Sequence, residues 1–251
     1  MATSCLADRL GRLVALTEAE AAALGALGLR ERTLRRGATL QRAQEPVGEI
    51  YVLKHGMLMS YLLTGEGSRQ IVRFHSDGDL VGMANLAYRA APEAIAALTD
   101  ATVLPVELAA LGTLIAAHPR IGALLLADAQ LAQVSLAERL AALGRLDAKA
   151  RVAGVLVELD RRLRESGATS FPLALTQEEI GDATGLTAVH VNRMLRQLVQ
   201  EGLIAREGGR VRLLDEDALA RAAGLLPGPA LDLGWLPPAA EERGVAREGR
   251  L

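Results

Sequence analysis

Cysteine is almost absent from this chain of 251 residues. Cys5 stands alone, which excludes an internal disulfide framework and any four-cysteine metal or iron–sulfur site within one chain. Near an amino end, where chains commonly fray, Cys5 is expected to have no role. Aromatic residues make up only 2% of the sequence while hydrophobic residues make up 50%, enough for two modest domains whose cores must be aliphatic. Long apolar runs are missing too. The longest, Ile121 to Ala127, is far shorter than the roughly 20 residues that span a bilayer. The amino end, MATSCLADRLGRL, places Asp8, Arg9 and Arg12 before any apolar run adequate for a secretory signal. A cytoplasmic protein with no membrane partner is expected.

An excess of one charge is also lacking. The formal net charge of −2 argues against a polybasic coat and for one confined basic patch. The four histidines, His55, His75, His118 and His190, form no His-x-His pair, so no metal set, cofactor or catalytic group is expected. Met57, Met59 and Met83 read as gap-filling core residues.

What is present is concentrated in residues 176 to 198, TQEEIGDATGLTAVHVNRMLRQL. Two short amphipathic helices joined by a glycine turn make a device for reading the major groove of DNA. Thr176 and Glu179 form a capping box for the first helix, from which Ile180 and Ala183 face inward. Gly181 is small where a partner helix would cross closely, Gly185 supplies the left-handed turn, and Leu186 fills the corner. Thr187 is the N-cap of a second helix, Thr187 to Val199. At about 100° per residue, Val191, Met194, Leu195 and Leu198 fall within roughly a third of its circumference and form its core face.

The opposite face collects Ala188, Val189, Asn192, Arg193 and Arg196. Arg193 can hold guanine bidentately, Asn192 can pair an adenine edge or a phosphate, and Ala188 or Val189 can touch a thymine methyl. Thr176, Gln177, Thr187 and His190 lie near helix starts, where phosphates are commonly held. Beyond, Leu203-Ile204 and Arg206 to Arg212 form two strand-like arms around Gly208-Gly209, the signature of a tight hairpin and here a wing carrying Arg210. From Thr187 through Arg212, five arginines stand against Glu201 and Glu207, a local balance of +3.

The rest of the chain has a different texture. Residues 1 to 29 read as short helices, one opened by a Thr17/Glu20 capping box. From 33 to 107, β-type runs (Ile50 to Leu53, Leu58 to Leu63, Gln70 to Phe74, Ala101 to Val106) alternate with glycine turns, the look of a small antiparallel sandwich or barrel. Helices return near Ala109, and Pro119 opens a long one to Leu143. Its leucines cover more than one face, as in a helix packed on its own domain and on a twin in a two-fold dimer. Gly144 to Asp147 reads as a hinge before a helix from Ala148 to Arg164. Past Leu225 the chain is rich in proline and glycine, Trp235 is expected to dock this tail onto a domain, and the end reads as frayed.

A glycine-punctuated roll, a long dimer helix and a winged helix-turn-helix resemble the plan of the Crp/Fnr family of bacterial transcription regulators, from about residue 30 to 225. The matching pieces are Arg36-Gly37 with Gly56, Gly78-Asp79-Leu80-Val81-Gly82, Leu146-Asp147, and Leu175 to Gly181. The resemblance implies an α+β fold: an antiparallel β-roll of cyclic-nucleotide-binding type with short amino-terminal helices (1–117), a dimerisation helix and hinge (118–146), a winged helix-turn-helix (147–225) and a tail (226–251). It gives Arg193 the place of a base-reading arginine and Thr176 that of a phosphate-binding threonine. Val189 stands where many members carry a base-reading glutamate, so the usual operator is not expected. Double-stranded DNA and a second copy of the chain are the implied partners, with RNA polymerase a further one on the resemblance alone.

The sensing half departs from that pattern. Members that bind cyclic nucleotides use a Gly-Glu pair and a later Arg-Ser or Arg-Thr pair; here Gly82 is followed by Met83, and the later stretch is Ala91-Pro92-Glu93-Ala94-Ile95-Ala96. An anionic phosphate would be poorly held, so a signal other than cyclic AMP is expected, its identity unknown. The oxygen-sensing members' cysteine cluster is missing as well. Two alternatives are a constitutive regulator whose roll only scaffolds the dimer, and a cupin-type metalloenzyme, against which the missing His-x-His pair argues.

Overall fold

The computed structural model describes residues 4–28, 30–165, 175–207, 210–224 and 228–239. In chain order the elements are α1 (Cys5–Gly11), α2 (Glu18–Gly25), β1 (Arg32–Leu34), β2 (Thr39–Gln41), β3 (Glu49–His55), β4 (Leu58–Leu63), β5 (Arg69–His75), β6 (Leu80–Val81), a 3₁₀ turn at Met83–Ala87, β7 (Ala94–Ala97), β8 (Ala101–Glu107), α3 (Leu108–Ala117), α4 (Pro119–Arg145), α5 (Ala148–Glu165), α6 (Gln177–Thr184), α7 (Ala188–Gln200), β9 (Ile204–Glu207), β10 (Arg210–Leu213) and α8 (Glu216–Ala222). This is an α+β chain with antiparallel strands toward its amino end and helices toward its carboxyl end. The expected Gly208-Gly209 turn and the end of the tail, 240–251, lie outside the described residues.

The chain divides into two compact units, Met1–Met57 with Asp77–Val134 and Ala230–Leu251, and Leu58–Ser76 with Ser135–Pro229. In the first, strands run in the order β1-β8-β3-β6, all antiparallel, with Ile50 opposite Val106 and Val52 opposite both Leu104 and Leu80. A separate antiparallel pair joins β2 to β7, Thr39 facing Ala96. Ile50, Val52, Leu80 and Val106 close an aliphatic core with Leu6 and Leu10 of α1, Leu24 of α2 and Ile121, Leu124 and Leu125 of α4. Three ion pairs fix the amino-terminal helices there: Arg9 reaches Asp79 and Asp128, each at 2.7 Å, and Arg120 holds Glu20 at 2.7 Å.

Two expectations for this unit are corrected. Cys5 is not in a frayed end: it opens α1, packs half-buried against the aliphatic core, and has its thiol pKa pushed up by burial. Nor does Trp235 dock the tail, since it is 57% exposed; Leu233 and Leu236 pack against the core instead. An aliphatic core accepts a leucine without having to find a partner for an indole N–H. Met57 and Met59 are buried and Met83 packs on the core, as expected of gap fillers.

The second unit pairs the β4–β5 hairpin with the carboxyl-terminal helices. Arg69 of β5 lies over the Tyr61 ring and bonds Asp182 of α6 at 2.7 Å. Arg139, near the end of α4, lies 5.0 Å from the Phe74 ring centroid, donates to the Ile71 carbonyl and pairs with Glu158 of α5. The long helix runs two residues past its expected end at Leu143: α4 includes Gly144 and ends at Arg145, and Asp147 caps α5 by accepting the Ala150 N–H at 2.8 Å. On α4, Leu126, Val134, Leu136 and Leu140 are each half or more exposed in the single chain. Among the described residues no single helix is long and apolar enough to cross a membrane.

Candidate nucleic-acid interface

Local chemistry builds the two helices of the site. Thr176 accepts the Glu179 N–H at 3.1 Å while its own N–H donates to the Glu179 carboxylate at 2.6 Å, a closed capping box that starts α6. The helix ends at Gly185, whose φ of 65° and ψ of 35° an L side chain adopts only at a cost. Thr187 then starts α7 by accepting the His190 N–H at 3.4 Å.

Gly181 is required for a reason other than the one its sequence position suggests. A Cβ there would sit 2.4 Å from the Leu186 carbonyl oxygen, so the close approach is by the turn's own backbone and not by a partner helix. The Leu186 N–H in turn donates to the Gly181 carbonyl at 3.1 Å, and the Leu186 side chain is half-buried in the corner.

Val191, Met194, Leu195 and Leu198 are all buried, and α7 rests through them on α5 and α6. Val189, His190, Arg193 and Arg196 are exposed, while Ala188 and Asn192 are half-buried beside them. Thr176 and Thr187 are exposed, and Gln177 is half-buried at the start of α6. Each threonine spends an oxygen lone pair on its cap, and the Thr187 hydroxyl also lies 3.2 Å from His190 Nδ1.

The wing is β9 paired with β10, Arg212 opposite Ala205 and Arg210 opposite Glu207, so Arg210 and Arg212 share one exposed face. Ile204 and Val211 are buried beneath.

Ion pairing distinguishes the arginines at the end of α5 from those of α7 and the wing. In α5, Arg162 pairs with Glu158 at 3.2 Å, Arg164 with Asp160 at 2.7 Å, and Arg161 with Glu216 of α8 at 3.5 Å. Burial works against charge on Glu158, but the Arg139 and Arg162 guanidiniums outweigh it and hold its carboxyl below the usual range. Among the described residues, no ion pair engages Arg193 or Arg196 of α7, nor Arg206, Arg210 or Arg212 of the wing. Lys149 pairs with Glu201 at 2.7 Å, which occupies the carboxylate just past α7. A ridge of unpaired guanidiniums with hydroxyl, amide and apolar groups between them is suited to a polyanion.

Sequence reasoning missed two positioning residues. Arg151 of α5 donates to the Thr184 carbonyl at 2.8 Å, satisfying the end of α6 just before the turn. Asp182 ties the same helix to Arg69. Neither partner is visible in a local pattern, since one is a backbone carbonyl and the other is 113 residues away.

In the roll, the Asn85 amide donates to Gln41 at 2.7 Å and to the Glu49 carbonyl at 3.1 Å, and the Gln41 amide donates to the Glu93 carbonyl at 3.1 Å. From Gly82 to Ala96 the only cation is Arg89, which is exposed. His75 is buried with its ring nitrogen 2.9 Å from the Ser60 hydroxyl, and no three His, Cys, Asp or Glu side chains gather as a metal would require among the described residues.

Comparison with known proteins agrees with this geometry in both halves. A Crp-like helix-turn-helix domain matches residues 150–222, and a cyclic nucleotide-binding domain matches residues 31–118. The transcriptional activator protein anr of Pseudomonas aeruginosa is 30% identical over 213 residues, covering 84% of this chain and 87% of that protein. The fumarate and nitrate reduction regulatory protein of Escherichia coli is 27% identical over 197 residues, covering 78% of this chain and 79% of the relative. Among solved structures, FixK2 from Bradyrhizobium japonicum superposes with a TM-score of 0.70 at 29% identity, over 80% of this chain and 98% of that one.

Proposed function

Since the chain belongs to the Crp/Fnr family of transcription regulators, which bind DNA through this helix-turn-helix and act as dimers, we propose that two copies of α7 read a near-palindromic operator. In this reading the exposed leucines of α4 meet their twins, and the two α7 helices enter successive major grooves about 34 Å apart. Arg193 takes guanine, Asn192 a neighbouring base edge or phosphate, and Ala188 and Val189 the apolar contacts. Thr176, Gln177, Thr187 and His190 hold phosphates from the helix starts, with Arg196 and Arg210 on the backbone to either side. One observation carries the assignment: the arginines of α7 and the wing lack ion-pair partners among the described residues, whereas Arg161, Arg162 and Arg164 of α5 are paired.

Selection from random duplexes tests it. The full-length protein is expected to enrich half-sites centred about 10 base pairs apart; enrichment of no motif refutes sequence-specific reading. Arg210→Ala is expected to weaken binding to all sequences alike and to reduce the slope of log affinity against log salt by about one.

The domain plan in this reading is a roll over 1–117, a dimer helix and hinge over 118–146, a DNA-reading domain over 147–225 and a tail over 226–251, in a cytoplasmic protein. The signal acts on the roll and is not cyclic AMP. Supporting this, the turn following Gly82 offers no cation but exposed Arg89, and its Asn85 amide is already engaged. Calorimetric titration with cyclic AMP is expected to show no binding in the micromolar range; a micromolar isotherm would reverse this conclusion.

A further inference from the structure

Val189 is 79% exposed, more than any other large hydrophobic residue among those described. It lies in the first turn of α7, four residues before Arg193, and so on the same face of the helix. Its neighbours Thr187, His190 and Arg193 are polar and exposed, so Val189 is an isolated apolar point and not part of a patch that another protein would cover. From Ala188 to Gln200 the helix carries no Asp or Glu, and its two exposed arginines have no ion pair among the described residues. The occupant this surface favours is a polyanion with an apolar group at one place in its groove. In the major groove the apolar group on a base edge is the pyrimidine C5-methyl.

We propose that Val189 reads a thymine methyl within two base pairs of the guanine held by Arg193. The inference rests on the DNA-reading assignment above. It selects Val189 over Ala188, which is half-buried and has no atom beyond Cβ. The spacing follows from helix geometry. Four residues rise about 6 Å along α7, under two base-pair steps of about 3.4 Å. A β-branched side chain in a helix holds nearly one rotamer, so its methyls present a fixed shape.

The experiment uses the full-length protein and the duplex it selects. Each thymine of one half-site is replaced in turn by deoxyuridine, which keeps the base pairing and removes only the methyl. One replacement, within two base pairs of the guanine whose identity stops mattering in Arg193→Ala, is expected to weaken binding about fourfold, the value of one buried methyl-sized group. Val189→Ala, an exposed change to a better helix former, is expected to bind the thymine and deoxyuridine duplexes equally, with an unchanged melting temperature. Wild-type affinity indifferent to every deoxyuridine, or the same loss in Val189→Ala, overturns the inference while leaving the operator motif intact. Selection that enriches no motif overturns the DNA-reading assignment and this inference with it.

Discussion

Arg193→Ala is expected to lower affinity for the selected operator about 5- to 150-fold, about 1–3 kcal/mol, and to relax discrimination at one base pair per half-site. The loss should be confined to binding. Arg193 is exposed and has no ion pair among the described residues, so truncating it strands no charge in the free protein. The face that holds α7 in place, Val191, Met194, Leu195 and Leu198, is left untouched. Thermal unfolding of the variant should therefore match the parent. Arg193→Lys should recover little of the discrimination, because an ammonium cannot form the two parallel bonds a guanidinium makes to one base edge. Competition gel shifts against operators altered one pair at a time decide the matter: equal weakening on all of them would make Arg193 a phosphate contact.

Gly181→Ala carries the largest expected cost to the DNA-reading fold. A glycine inside a helix is ordinarily worth replacing, since alanine there gains up to about 1 kcal/mol in propensity. Here the added methyl would meet the Leu186 carbonyl oxygen at 2.4 Å, and a backbone atom in a tight corner cannot swing aside as a side chain would. The turn must open, which strains the Leu186 to Gly181 hydrogen bond and the left-handed Gly185 cap. The net effect is expected to be a destabilisation of about 2–3 kcal/mol, with operator binding weakened as α7 loses its fixed angle to α6. Urea denaturation measures it; a variant more stable than the parent would mean that the corner has slack.

The helix-turn-helix was legible because its determinants are local. Thr176 and Glu179, Gly185, Thr187 and the spacing of Val191, Met194, Leu195 and Leu198 act within one or two turns of themselves. The strands that were missed lack such signals. The β7 segment is Ala-Ile-Ala-Ala and β6 has two residues, so propensity says little and each is a strand only through distant pairing, Ala96 with Thr39 and Leu80 with Val52. The partner of β5 was equally hidden, because the Arg69 and Asp182 charges are brought together by tertiary structure alone. Trp235 misled for a different reason. Residue size suggested an anchor, whereas the residues that pack on the aliphatic core are Leu233 and Leu236.

Those two leucines bear on how the protein is made. They pack on a core whose other members lie between Cys5 and Leu125, so that core lacks them until translation has passed Leu236, and the segment Ser135–Pro229 of the other unit is translated in between. A nascent chain can therefore form α1, α2 and the strands of this unit early, but their packing is finished only after the ribosome has passed Leu236, against the usual order in which one domain closes before the next is translated.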